Sequence, residues 1–275
     1  MDFLLVGDSA AMVVHGYCTT LPITLDEIIL HARAVARGAV TPLRVADLPF
    51  GSYELGPAQA VASAVRLVKE GAVDAVKLEG GDPQRAATAQ AVVDAGVAVL
   101  GHAGLLPQRV SALGGFRAMG ASAAEGEKVF DAALRLQDAG CFGLVLECIP
   151  EPLARSITAT LDIPTVGIGC GPGTSGQIIV YHDVIGMCEH PHYASVTPRF
   201  VKKYAQVGSV IADALEKYKE EVATSQFPSE EFSPYKMKTA QREKLAGTLH
   251  KRGFSAAAKQ LAGGDGPSTA AADGG

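Results

Sequence analysis

The sequence predicts an α/β chain wound as a (βα)8 barrel of the TIM type. Short apolar runs alternate with amphipathic stretches from residue 3 to residue 181, the rhythm of a parallel sheet whose neighbouring strands need crossover helices. Glycines stand at 38, 71, 96 and 140, where those helices should stop. Five successive strands each end on an ionisable residue. A barrel gathers all its strand ends at one mouth, whereas strands so far apart in an open doubly wound sheet could not share one crevice.

Taken in order, residues 3–6 (Phe-Leu-Leu-Val) read as the first strand. A helix over 25–37 follows, opened by Thr24 and Glu27 at capping-box spacing and closed by Gly38. Residues 43–46 are the second strand. Pro57 then sits where a first helical turn accepts proline, and Val61, Ala64, Val65 and Val68 form one helical face that Gly71 ends. The third strand is 75–78. The cycle repeats with a helix over 84–95 and a strand over 97–100, then a helix over 125–139 and a strand over 142–146. A helix over 152–161 leads to a sixth strand at 164–168 and a short seventh at 178–181. Phe200, Val201, Tyr204, Val207, Ile211, Leu215 and Tyr218 recur at helical spacing across 199–222, with a break at Gly208. The expected organisation is a barrel over 1–222, a C-terminal extension over 223–261 and an Ala/Gly-rich disordered tail over 262–275, too poor in large apolar residues to order itself.

Composition narrows the function. Hydrophobic residues reach 48% but aromatics only 6%, with no Trp, so the core is built of Ala, Val, Leu and Ile. Lys and Arg number 24 against 29 Asp and Glu, a net charge of −5 with no basic stripe, which argues against a nucleic-acid partner. No apolar run approaches the ~20 residues of a bilayer span, so no membrane partner is expected. Five cysteines, an odd number without a C-x-x-C pair, fit a reducing compartment rather than a disulfide framework or structural zinc. Neither a Walker-type loop nor a dinucleotide fingerprint is present.

The strand-end residues carry the chemistry. Asp8, Asp47 and Glu79 are hard oxygen donors without Cys or His companions, a set suited to Mg²⁺, although each could simply cap its loop. Lys77 and Glu79, two apart on a strand, face the same way. Lys77 could neutralise an anionic substrate or a developing enolate, or could form an internal ion pair. His102 follows the fourth strand. Glu147 ends an apolar strand, so burial should raise its pKa and suit it to acid or base work, unless a basic residue from another loop pairs with it. Gly167-Ile168-Gly169-Cys170-Gly171 has the form of a phosphate grip or of a tight turn. A Mg²⁺ site beside a buried carboxylate base suits enolisation of a 2-oxo acid.

The segments Leu5-Val6-Gly7-Asp8-Ser9-Ala10, Ala46-Asp47-Leu48-Pro49-Phe50-Gly51, Val76-Lys77-Leu78-Glu79-Gly80-Gly81, Gly101-His102-Ala103-Gly104-Leu105 and Leu144-Val145-Leu146-Glu147-Cys148-Ile149-Pro150, in this order, resemble the ketopantoate hydroxymethyltransferase family over roughly 3–236. The resemblance implies a (βα)8 barrel that moves a one-carbon unit from 5,10-methylenetetrahydrofolate to 3-methyl-2-oxobutanoate, a branched 2-oxo acid, giving 2-dehydropantoate for pantothenate synthesis. It implies Asp8 and Asp47 as Mg²⁺ ligands, Glu79 in the water-mediated outer shell, Ser9 and Lys77 on the keto acid, His102 near the substrate and Glu147 as the base. It also implies a large homo-oligomer. The stretch from Phe227-Pro228 to Ser233-Pro234-Tyr235-Lys236 is similar to the plant-type branch, which points to the mitochondrion, with the cytoplasm as alternative. Family chains begin one strand and helix earlier, so the expected barrel lacks its first strand–helix unit at the N-terminus. Tyr17-Cys18 replaces a frequent His-Asp, and the loop over 114–121 lacks the family's Gln and Arg. Two alternatives stand beside this expectation: a Mg²⁺-dependent C–C lyase like the isocitrate lyase barrels, and a non-catalytic or incomplete barrel.

Overall fold

The computed structural model describes residues 1–113, 115, 117–188 and 198–263. It forms two compact units, 1–210 and 211–275. The first holds one sheet of seven parallel strands: β1 Phe3–Val6, β2 Leu43–Asp47, β3 Ala75–Lys77, β4 Ala98–Gly104, β5 Gly143–Glu147, β6 Thr165–Ile168 and β7 Gly176–Gln177. Each strand is hydrogen-bonded to the next in chain order, from Phe3 beside Leu43 to Gly167 beside Gln177. A doubly wound sheet reverses its order at a switch point. This sheet does not, and its winding is that of a (βα)8 barrel with seven strands among the described residues.

The crossover helices are α2 Leu25–Gly38, α3 Pro57–Gly71, α4 Pro83–Asp94, α6 Ala123–Asp138 and α7 Glu151–Thr160, with short turns α1 Ala10–Val13, α5 Val110–Leu113 and α8 Tyr181–Val184. Their starts are chemically specified. The Glu27 N–H donates to Thr24 Oγ1 at 3.3 Å while the Thr24 N–H donates to Glu27 Oε2 at 2.7 Å, closing the expected capping box. Asp82 caps α4 and Ser122 caps α6 in the same sense. No helix is long and apolar enough to cross a membrane among the described residues.

The two faces of the sheet have different partners. Val6, Ala46, Val76, Val99, Leu144 and Leu146 turn outward and pack on Ile28, Ala32, Ala64, Leu67, Leu136 and Ile157 of the helices. Val45, Ala75, Leu100 and Val145 turn inward, with Phe3, Leu5 and Ile168 against them. Because side chains alternate along a strand, the residue two positions beyond each inner apolar one shares its face. Those residues are Asp47, Lys77, His102 and Glu147. An apolar layer thus lies beneath a polar one, the layered filling of a barrel interior.

Two expectations need correction. The seventh strand is Gly176–Gln177, not 178–181: only the Ile178 N–H still reaches Gly167 O, at 3.0 Å, and Tyr181 already starts α8. Residues 199–206 are not helical, and backbone donors at the end of this segment and at the start of the helix bond to residues 184–186. The N–H groups of Tyr204, Val207 and Gly208 bond to the carbonyls of Val184, Ile185 and Gly186, and the regular helix, α9, runs over Val207–Ala223. Gly71 is the last residue of α3, as expected, and the left-handed residue that follows it is Ala72, at φ 56°. Gly71 also permits close helix packing, since a Cβ there would stand 3.2 Å from the Cβ of Ala32.

In the second unit, α10 Thr239–Lys251 and α11 Ser255–Ala262 pack on each other through Ala246 and Ala258. From residue 264 onward the expected tail lies outside the described residues.

Candidate active site

The carboxyl ends of β1 to β5 bring Asp8, Asp47, Lys77, Glu79, His102 and Glu147 into one buried cluster. The first five are each under 5% exposed, and the Glu147 side chain is 17% exposed. Lys77 Nζ stands 2.9 Å from Asp47 Oδ1, 3.3 Å from His102 Nδ1 and 3.8 Å from Glu79 Oε1. The Asp8 N–H donates to Asp47 Oδ2 at 2.9 Å. Glu147 Oε2 lies 3.4 Å from His102 Nε2, which is also 2.8 Å from Leu105 O. An ammonium can only donate and a carbonyl can only accept, so His102 accepts at Nδ1 and carries its proton on Nε2.

Four carboxyl groups therefore share one ammonium. Burial, and then the neighbouring charges of Asp47 and Glu79, raise Asp8 well above the usual carboxylate range. Burial pushes Glu79 up to about 8, against the pull of Lys77, and pushes Glu147 up to about 8 as well. Burial opposes the Lys77 charge, but Asp47, Glu79 and Asp8 outweigh it and its pKa is raised. Burial and then Lys77 hold His102 well below the usual value, so it is neutral.

Ser9 flanks the same carboxylates. A Cβ on Gly7 would stand 3.0 Å from Ser9 Oγ and 3.5 Å from Asp47 Oδ2, and the Ser9 hydroxyl is not engaged in capping α1. Gly104 closes the floor beside Glu147. At φ 102° it lets β4 pass so near that a Cβ would overlap Glu147 O at 2.2 Å. The glycines of 167–171 are explained by packing: Cβ atoms at 169 and 171 would strike the Phe200 ring at 2.5 Å and Glu151 Cγ at 2.4 Å.

Among the described residues, no three His, Cys, Asp or Glu side chains are arranged to hold a metal by themselves. The donors present do suit an ion that takes one or two carboxylates and completes its shell with water or substrate. Asp8 and Asp47 are adjacent hard oxygen donors, and the buried Asp47 Oδ1 accepts no well-aligned hydrogen bond, facing only the ion-pair contact with Lys77. The surplus of carboxyl groups is what such a cation would neutralise.

Comparison with known proteins decides the family. Residues 1–230 match the family described as ketopantoate hydroxymethyltransferase. The chain belongs to the ketopantoate hydroxymethyltransferase family. It is 56% identical over 262 residues to an Arabidopsis thaliana protein named 3-methyl-2-oxobutanoate hydroxymethyltransferase 1, mitochondrial, covering 95% of this chain and 76% of that one. A rice protein of the same name is 55% identical, covering 95% and 72%. A Moorella thermoacetica 3-methyl-2-oxobutanoate hydroxymethyltransferase is 52% identical over 233 residues, covering 85% and 84%. Like its family, the chain is a transferase. Within this hydroxymethyltransferase fold, Asp8, Ser9, Asp47, Lys77, Glu79, His102 and Glu147 all fall in or beside the one cluster. Two were missed. Gln108, in the 3-10 turn Pro107–Arg109, donates from Nε2 to Asp8 Oδ2 at 2.8 Å, and its main-chain N–H donates to Glu79 Oε2 at 3.1 Å. Tyr53, 1% exposed, donates to Gln108 Oε1 at 2.5 Å. The available signal was Pro107, which marks the start of a turn directly after the fourth strand.

Proposed function

We propose that this chain transfers a hydroxymethyl group from 5,10-methylenetetrahydrofolate to 3-methyl-2-oxobutanoate, giving 2-dehydropantoate. The observation that carries the reading is Glu147: a largely buried carboxyl on the inner face of β5, with a neutral His102 at 3.4 Å and Lys77 beyond it. Mg²⁺ would be held by Asp8 and Asp47, with Glu79 in its outer shell, and when bound would supply Lewis-acid stabilisation of negative charge on the keto oxygen.

The chain's own residues do the rest. Glu147 accepts the C3 proton in its ionised form, which the charge of a bound cation would favour: the C–H bond breaks, its electron pair enters the enolate and the proton goes to a carboxylate oxygen. The Nε2–H of His102 donates to Leu105 O, which fixes the imidazole 3.4 Å from that carboxyl. Lys77 and Ser9 bind the anionic end of the keto acid, and the apolar layer of Val45, Ala75, Leu100 and Val145 keeps water from below. Water releases the methylene carbon from the two folate nitrogens as formaldehyde, leaving tetrahydrofolate; the enolate carbon attacks that carbon, the C=O electron pair moves to oxygen, and the oxygen takes up the proton that Glu147 holds.

In D₂O with the keto acid and without folate, Mg²⁺-dependent deuterium incorporation at C3 is expected; a folded sample that shows none would overturn the reading. With the folate, 2-dehydropantoate should appear, whereas cleavage products would mark a lyase. The same reading places the enzyme in the mitochondrion, on the strength of its plant relatives' names. It also makes the enzyme a large homo-oligomer, which the exposed Val210, Leu215 and Tyr218 of α9 support.

A further inference from the structure

Gln108 bonds to two members of the carboxyl cluster, Asp8 and Glu79, and none of its contacts is to the reacting atoms. Its side-chain amide is used completely. Both Nε2 protons are donated, to Asp8 Oδ2 at 2.8 Å and Leu48 O at 3.0 Å, while Oε1 accepts the Tyr53 hydroxyl at 2.5 Å. The main-chain N–H takes Glu79 Oε2 at 3.1 Å. One residue therefore grips Asp8 with its side chain and Glu79 with its backbone, two carboxyl groups that repel each other.

The direction of the amide is fixed. Turned over, Oε1 would face a carboxylate and a carbonyl, two acceptors with no proton between them. Tyr53 is fixed in turn: the Arg85 guanidinium lies 4.4 Å from its ring centroid, donates to Tyr53 O at 3.3 Å and pairs with Glu54 at 3.2 Å. Without the Tyr53 hydroxyl, the buried Oε1 would lose its donor and the amide its anchor.

We propose that Gln108 is a positioning residue that sets the separation and orientation of Asp8 and Glu79 for a divalent cation, and that Tyr53 acts on the site only through Gln108. This rests on the proposed function. The probe is Mn²⁺, titrated by electron paramagnetic resonance into the full chain and into Gln108→Leu, Tyr53→Phe and the double variant. Removing the amide should weaken Mn²⁺ binding about 10- to 100-fold, the range for groups that orient metal ligands. Removing only the hydroxyl should weaken it about fivefold. The double variant should bind no more weakly than Gln108→Leu alone, since two residues acting in series do not add. C3 exchange in Gln108→Leu should recover part of its loss as Mn²⁺ is raised, whereas Glu147→Gln should recover at no Mn²⁺ concentration.

Wild-type affinity in Gln108→Leu, or independent additive losses, would overturn the proposal. Should Gln108→Leu fail to fold, Tyr53→Phe and Gln108→Asn, whose shorter amide withdraws from Asp8, carry the same expectation and the same refutation. A wild-type chain that binds no Mn²⁺ would bring down the proposed function and this inference with it, a result distinct from normal binding that Gln108 does not influence.

Discussion

Glu70 and Glu147 are the same side chain in opposite settings. Glu70, on the surface of α3, accepts from Arg66 Nε at 2.7 Å and Nη2 at 3.0 Å, and those bonds hold its carboxyl below the usual range. Glu147 has no arginine and little water, and burial pushes it up to about 8. The surface helices balance charges in small groups, such as Arg66 with Asp26 and Glu70, or Arg155 with Glu151. The strand ends set four carboxyl groups against one ammonium. Chemistry belongs where compensation is incomplete, because only there is a carboxyl basic enough to hold a proton near neutral pH.

That contrast can be broken from the buried side first. Glu147→Gln should slow C3 exchange by ~10²- to 10⁴-fold, the usual contribution of a positioned base, with Mn²⁺ affinity retained; unchanged exchange would remove Glu147 from the chemistry. Lys77→Met takes away the one cation and leaves buried Asp47 uncompensated, so urea unfolding at pH 7 should show a loss of about 3–5 kcal/mol.

A smaller effect tests the raised Glu147 directly. Its folded pKa of about 8 lies above the ordinary 4.5, so the folded state binds this proton more tightly than the unfolded state does. Stability must therefore fall as pH rises through that window: the penalty is absent below about 4.5 and complete above about 8. Gln cannot ionise, so the urea midpoint of Glu147→Gln minus that of the wild type should climb from pH 5 to pH 8; a flat or falling difference would mean that Glu147 is paired. The least effect belongs to the surface. Arg66→Ala should leave the urea midpoint unchanged within error in 0.15 M salt, since exposed pairs are screened and hold their geometry at an entropic cost.

The sequence made the inner face legible because strand geometry is periodic. Once residues 45 and 145 are inner, 47 and 147 must be too, and five strand ends converge by topology alone. The capping box at Thr24 and Glu27 is likewise a local pattern with a local cause. Tyr53 and Gln108 escaped because they sit in irregular segments, where no period says which way a side chain points. Their roles depend on partners 55 and 100 residues away in sequence. The helix expected over 199–206 failed for a related reason: its apolar spacing is real, but residues 184–186 offer its backbone other acceptors. Gly71 illustrates a third limit, since the same residue type serves a left-handed turn or a close approach, and only packing tells them apart.

The raised carboxyls also make the site a store of exchangeable hydrogen ions. At neutral pH the folded chain holds protons on Glu79 and Glu147 that the same groups give up in the unfolded chain, so folding draws hydrogen ions from the buffer. A divalent cation entering beside Asp8 and Asp47 would drive part of that store back out. The heat of cation binding at pH 7 should therefore vary with the ionisation enthalpy of the buffer, and the slope of that variation counts the protons released.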